Sequence, residues 1–405
     1  MLEALAIGVL LGVVSGLTPG IHTNTFAALL ISYIPLLSTF FAPEEIAVVI
    51  FANAVTHSFL DIIPSVFLGI PDEDTSIAVL PAHEMVMEGR GLEAISISAF
   101  SSLFSFFAVL PFFALYLIVL PESYESISKV TPYFLIVASA FIILTEKGEM
   151  FEGSLSAWRK RLYALLVFLV SGFLGYVSLK YAFLAKVNVA SSVLLPLLTG
   201  LFASPTLIAS MMSNSGIPEQ LKTAKLPSAG SVLSGSLAGM LVSLFPGVSS
   251  GVATVIASAG MKDREKFISA LSSANTSNAV LCFAVLFAVH KARSGAADAF
   301  SKIVEPDIGF AVQIAVYGIV VALASTLLTL VLASAFARYL SKMNSALLSA
   351  AVFIFLVIFI YMMTGAFGLV VFAIATPIGL STLLLRIRRV SCMGCLILPA
   401  IIFRW

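Results

Sequence analysis

Two short stretches carry the residue types best suited to holding an anion. One is Leu17-Thr18-Pro19-Gly20, followed by His22-Thr23-Asn24-Thr25; the other is Leu244-Phe245-Pro246-Gly247, followed by Ser249-Ser250-Gly251. Proline clashes with the preceding turn and glycine adds backbone freedom, so a helix breaks at each. The small polar residues after the break open a new helix. Its first N–H groups lack helical partners and its dipole end is positive, which suits an anionic group. A single Pro-Gly is ordinarily a structural bend with its hydroxyls as caps. Two related copies point to a substrate site. Leu17, Pro19, Gly20, Ile21 and Thr23 match Leu244, Pro246, Gly247, Val248 and Ser250 at a constant offset of 227 positions.

A second constellation follows each break. Asn53, His57 and Asp61 stand at i, i+4 and i+8, on one face of a helix, and Asp61 lies well inside an apolar stretch. A carboxylate at that depth is costly and marks an ion or proton path. His57, one turn earlier, is a candidate partner. The corresponding stretch offers Asn275, Thr276 and Asn278 but no acid. Amide carbonyls and hydroxyls suit Na⁺, whereas an Asp–His pair would pass protons. The competing reading is a buried structural pair, or an Asp61 that reaches the interface.

Other patterns carry less chemistry. Gly247-Val-Ser249-Ser-Gly251 matches the GxSxG of serine hydrolases, but that motif needs a strand–turn–helix setting with His and Asp partners. Its mate, Gly20-Ile-His22-Thr-Asn24, lacks the serine and the second glycine. Cys392-Met-Gly-Cys395 has no second ligand pair for zinc, and reads as two apolar fillers. Asp72-Glu73-Asp74 and His83-Glu84 are loop acids and a loop histidine that form no expected metal site. No cofactor is expected beyond a coupling Na⁺.

The elements that position these residues follow from composition. Of 405 residues 60% are hydrophobic and 11% charged, and the net charge is +1. Soluble domains are about a quarter charged, so lipid is the solvent and a basic nucleic-acid footprint is excluded. The start lacks the basic region of a signal peptide, so the first apolar segment is expected to remain. Spans of about 20 apolar residues are predicted near 45–70, 93–120, 131–146, 162–179, 189–212, 267–289, 310–337, 344–363 and 366–385. The stretches 2–40 and 229–260, each broken by Pro-Gly, read as hairpins that enter and leave on one side. With that assignment 15 lysines and arginines fall in the loops around 90, 147–161, 222–225, 262–266, 338–342 and 386–389, against 6 opposite. If each broken stretch is one span instead, the count is 11 against 10. Positive charge concentrates in cytoplasmic loops, so the hairpins are favoured and the N-terminus lies outside.

Five spans separate the hairpins, so the second enters from the opposite face. Ala52-Asn53 echoes Ala274-Asn275, and Ser204-Pro205 more weakly echoes Thr376-Pro377. The fold expected is an all-α polytopic membrane protein of two inverted repeats, 1–215 and 216–405, with a polar join at 214–228. Paired discontinuous helices in two halves mark a transporter's midplane site. With almost no Lys or Arg at mid-membrane, an anion there would depend on N–H and hydroxyl donors, and on a co-transported cation.

The paired Pro-Gly stretches, the Asn-bearing helices after them and the two-fold plan resemble the TctA family, the large membrane subunit of tripartite tricarboxylate transporters. The ending Arg388-Arg389, Cys392-Met-Gly-Cys395-Leu-Ile-Leu-Pro399 is similar to the archaeal TctA-like branch. The resemblance implies cation-coupled uptake of a carboxylate such as citrate, held between the Pro-Gly hairpins. The substrate-facing segments would be Pro19-Gly20 to Thr25 and Pro246-Gly247 to Gly251. It also implies a small membrane subunit and an extracytoplasmic binding protein as partners, and a homodimer is expected by analogy. Pro246-Gly-Val-Ser-Ser-Gly251 is similar to a Pro-Gly-Val-Ser-Gly-Gly motif of polyprenyl-phosphate translocases as well, which keeps lipid-phosphate flipping as the alternative. An intramembrane enzyme is the third reading.

Overall fold

Apolar length and the two Pro-Gly steps dictate most of the elements. The computed structural model describes residues 1–18, 23–69, 79–146, 153–185, 193–213, 218–245, 250–258, 261, 263–340 and 344–403. Every element among them is helical. The first half holds α1 (Leu2–Leu17), α2 (Thr23–Ser32), α3 (Pro43–Leu60), α4 (Ile62–Phe67), α5 (Val79–Met87), α6 (Gly91–Leu144), α7 (Gly153–Lys180), α8 (Leu194–Leu198) and α9 (Ser204–Ser213). The second holds α10 (Ala229–Ser243), α11 (Ser250–Ala257), α12 (Arg264–Val289), α13 (Gly295–Ser301), α14 (Ile308–Leu340), α15 (Ser345–Leu384) and α16 (Gly394–Ile402).

Among the described residues seven helices are long and apolar enough to cross a bilayer. The stretches of the nine expected spans fall on these seven helices rather than on nine separate ones, two stretches lying in each of two helices. Spans 344–363 and 366–385 both lie in α15, which is divided at Gly365 (φ 64°, ψ −158°), a backbone conformation that glycine adopts without a steric penalty. Spans 93–120 and 131–146 both lie in α6. There the polar stretch 121–129, expected to unwind, stays helical. Glu122 and Glu125 are exposed and Ser123 Oγ donates to Val119 O at 2.7 Å, so these three side chains need no break in the helix.

By their contacts the residues form two units. One combines Met1–Ser128 with Gly216–Asn344, the other Lys129–Ser215 with Ser345–Trp405. Each unit draws one segment from each expected half, so the contact units cut across the sequence repeat.

In the first unit α3 is the centre, buried on every side from Ile46 to Leu60, and α4 continues it, equally buried. Phe51, Phe283 and Phe300 form a chain of edge-on rings with centroids 5.0 and 5.6 Å apart. Helix α1 lies on α3 through small residues. A Cβ on Gly8 would stand 2.6 Å from Ala52 Cβ, and one on Gly12 2.5 Å from Thr56 Cβ. Helix α10 lies on α12 in the same way, with Gly235 against Ala270 O and Gly239 against Ala274 O. Small residues let membrane helices approach closely where no hydrophobic force draws them together. These glycines extend the offset of 227, since Gly8 corresponds to Gly235 and Gly12 to Gly239.

The segment joining the halves is pinned to the corner between α5 and α6. Gln220 Oε1 accepts from Gly91 N at 2.8 Å, and Leu221 N donates to Gly89 O at 2.8 Å. Lys225 Nζ meets Glu265 at 2.7 Å, and Arg90 pairs with both Glu93 and Glu265. The hydrogen bond from Arg264 holds the Glu88 carboxyl below its usual range, and the bond to Glu265 raises Lys225.

In the second unit α16 returns onto α7. Gly172 and Gly175 sit beneath Leu398 and Cys395, and Gly394 sits against Phe168. Arg388 fastens this return to the end of α6, its Nε donating to Glu146 Oε2 at 2.8 Å and its Nη2 to Ile142 O at 3.0 Å. All three cysteines, Cys282, Cys392 and Cys395, are buried and none is joined in a disulfide. N-ethylmaleimide is therefore expected to modify none of them in the folded, detergent-solubilised protein and all three after denaturation, read as mass added per chain. Rapid labelling of Cys392 or Cys395 in the folded protein would refute the packing of α16 on α7.

Candidate functional site

α1 and α10 both end shortly before their Pro-Gly steps. α1 ends at Leu17 and α2 begins at Thr23; α10 ends at Ser243 and α11 begins at Ser250. At 16, 10, 15 and 8 residues, all four arms are shorter than the roughly 20 residues of a full span. Pro19, Gly20 and His22, and likewise Pro246, Gly247 and Ser249, lie outside the described residues. Thr23, Asn24 and Thr25 form the first turn of α2, while Ser250 and Gly251 open α11, where both are buried. The second hairpin folds back on itself: Ser234 Oγ near the start of α10 donates to Ala257 O at the end of α11, at 2.9 Å. The first differs, in that α2 packs on α13 and α3.

The polar constellation assembles around α3. Asp61 occupies the junction of α3 and α4 and is 3% exposed. Its Oδ2 accepts from Asn275 Nδ2 of α12 at 2.9 Å, so the acid is tied to the asparagine of the corresponding helix. One position on, Thr276 Oγ1 lies 3.4 Å from Ser58 Oγ. Ser15 of α1 links the rest, accepting from Asn53 Nδ2 at 3.1 Å and meeting His57 Nδ1 at 3.1 Å. On the far side of α3, Ser325 Oγ of α14 donates to Thr56 Oγ1 at 3.0 Å. Five of the six predicted ion-site residues thus gather on α3 and its contact with α12. Asn278 is turned elsewhere, its Oδ1 facing Cys282 Sγ at 3.6 Å.

A buried carboxylate held by an asparagine amide, with serine and threonine hydroxyls on the neighbouring turns, offers oxygen atoms to a hard monovalent cation, and it could equally receive a proton. Among the described residues no three His, Cys, Asp or Glu side chains converge as a metal site.

Sequence reasoning missed Ser15. Its signal lay in Gly8, Gly12 and Gly16 at intervals of four, which mark the face of α1 that approaches α3 and carries Ser15 beside it. It also placed Arg389 with loop charges. The structure buries that residue, 5% exposed, with Nη1 donating to Thr206 Oγ1 at 2.6 Å. Nearby, a π-turn at Thr199–Ala203 leads into α9, and Ser204 Oγ donates to Thr376 Oγ1 at 2.9 Å. The two Ser/Thr-Pro steps that echo each other in sequence therefore touch. π-Turns inside helices are frequent at functional positions.

Comparison with known proteins places this architecture. The profile of the tripartite tricarboxylate transporter TctA family matches residues 2–394. The chain belongs to that family. A TctA-family chain is a component of a tricarboxylate transporter that works with other subunits, and this one is a multi-pass membrane protein. It is 27% identical over 417 residues to an uncharacterized protein of Methanocaldococcus jannaschii, covering 98% of both chains. No solved structure matches it.

Proposed function

We propose that this TctA-family chain is the permease that moves a di- or tricarboxylate across the cell membrane by alternating access, coupled to Na⁺ or H⁺. The observation that carries the reading is Asp61. It is a carboxylate buried at the centre of the first unit and bonded to Asn275 of the helix that corresponds to its own. A carboxylate at that depth marks an ion or proton path, and an acid held by the asparagine of the corresponding helix is placed to take up and release a cation or proton together with the substrate. The carboxylate substrate would bind at the openings of α2 and α11, where N–H groups and hydroxyls follow the Pro-Gly breaks. Inverted repeats 1–215 and 216–405 would supply two related conformations, and their exchange would alternate access. The same reading puts the N-terminus outside. It makes a small membrane subunit and an extracytoplasmic binding protein the partners, and allows a homodimer.

The test is uptake of labelled citrate into proteoliposomes under an imposed Na⁺ or H⁺ gradient. Gradient-dependent uptake is expected, and Gly247→Val should abolish it while membrane insertion stays intact. A Gly247→Val protein that transports at the original rate would remove the hairpin from the site. Absence of uptake of any di- or tricarboxylate under both gradients, with flipping of a polyprenyl phosphate instead, would replace this reading by lipid-carrier translocation.

A further inference from the structure

The segment joining the sequence halves, the first turns of α6 and the last turns of α14 enclose a cavity of about 500 Å³. One wall is aliphatic, built from Leu92 and Ile95 of α6 with Leu330 and Ala337 of α14. The other is polar, carrying Lys222 and Thr223 from the segment and Arg338 from the end of α14. Among the described lining residues Glu219 is the one acid, so cations outnumber it two to one. Lys222 is exposed and makes no ion pair among the described residues. Its neighbour Lys225 is engaged with Glu265, and Gln220 with Gly91 N and Val86 O.

The outer face of α14 continues this site into the bilayer. Leu323, Leu327 and Val331, spaced by four, are 46%, 65% and 65% exposed. The same row reaches Ser334 and then Arg338, both on the cavity lining. An apolar row ending in cations matches a molecule with a long apolar part and an anionic head. We propose that this cavity binds the headgroup of an anionic phospholipid, with its phosphate between Lys222 and Arg338 and its chains along the α14 row. Phosphate oxygens accept charge-assisted hydrogen bonds from both cations and an ordinary one from the Thr223 hydroxyl. A free organic phosphate shares the charge but would leave the aliphatic wall and the row above it unfilled. The lipid would brace the joining segment, whose attachments among the described residues include the corner between α5 and α6, Ser96 of α6 and Glu265 at the start of α12.

Native mass spectrometry of the purified full-length protein tests this, with phosphatidylglycerol, phosphatidylcholine and glycerol phosphate as separate titrants. One phosphatidylglycerol should be retained per chain, with phosphatidylcholine at least about tenfold weaker, because removing the net anionic charge forfeits both cations. Lys222→Ala and Arg338→Ala should each weaken phosphatidylglycerol about fivefold. Ser334→Trp, which fills the cavity from an exposed position, should abolish retention. Equal retention of the two lipids would overturn the proposal, as would unchanged phosphatidylglycerol binding in a Lys222→Ala/Arg338→Ala protein of normal elution volume. Glycerol phosphate displacing phosphatidylglycerol at equal concentration would show a soluble-phosphate site and overturn the lipid assignment.

Discussion

Gly239→Leu is expected to remove almost all folded protein from the membrane fraction. The glycine faces the carbonyl of Ala274 so closely that even a Cβ would clash with backbone, and Ser277 Cβ closes the space beside it at 2.8 Å. A leucine cannot be accommodated by rotating a neighbour; α10 and α12 must separate. Overpacking of a well-filled core costs about 1–3 kcal/mol, and more where backbone has to move. Separation would also break Ser231 Oγ to Ser269 Oγ and Ser277 Oγ to Ser236 O, both 2.8 Å bonds between α10 and α12. The corresponding change, Gly12→Leu, should behave alike, because Thr56 and the carbonyl of Asn53 occupy the space. Size-exclusion profiles of detergent extracts would decide the matter. A monodisperse Gly239→Leu protein at wild-type yield would mean that the α10–α12 contact is not as described. Gly230, with open space around its Cβ position, is the internal control and should tolerate alanine without loss.

The second large effect concerns activity at constant fold. Asp61→Asn keeps an oxygen that can accept from Asn275 Nδ2, so the link between α3 and α12 should survive. What it removes is the charge that binds a coupling cation or proton. Hydrogen bonds to charged groups contribute about 1.5–3 kcal/mol, which corresponds to a loss of about tenfold to a hundredfold in gradient-driven uptake. Elution volume and melting temperature should stay close to wild type. Asp61→Ala should in addition be less stable, because Asn275 would lose its partner in a dry interior. Uptake by Asp61→Asn with an unchanged dependence on the ion gradient would exclude Asp61 as the coupling residue.

How far the sequence revealed this can be followed residue by residue. The ends of α1, α2, α10 and α11 were legible because proline and glycine act locally, on the turn that contains them. The depth of Asp61 was legible from its apolar flanks. Its tie to Asn275, 214 positions away, was not. Spacing within one helix suggested His57 as its partner, and spacing says nothing about which helices meet. The glycine faces on α1 and α10 were legible in principle, as glycines spaced by four at 8, 12 and 16 and at 235 and 239, but that spacing does not say which helix the face meets. The continuity of α6 through 121–129 was misread because a polar run resembles a loop, although exposed acids leave the helical backbone bonds untouched.

The second unit has a consequence for how the protein is made. Its two segments, Lys129–Ser215 and Ser345–Trp405, are separated by the whole second portion of the first unit. A ribosome adding roughly 5–20 residues per second needs about 6–26 s to cross those roughly 130 intervening residues. Throughout that interval α7 has been synthesised, yet the glycine groove that receives α16 is without its occupant, and Glu146 waits for Arg388. The first unit can close before the last helices emerge; the second cannot. Quality-control proteases and chaperones of the membrane therefore meet an α7 with an open seam on every nascent chain, and chains stalled before position 345 would present that seam permanently.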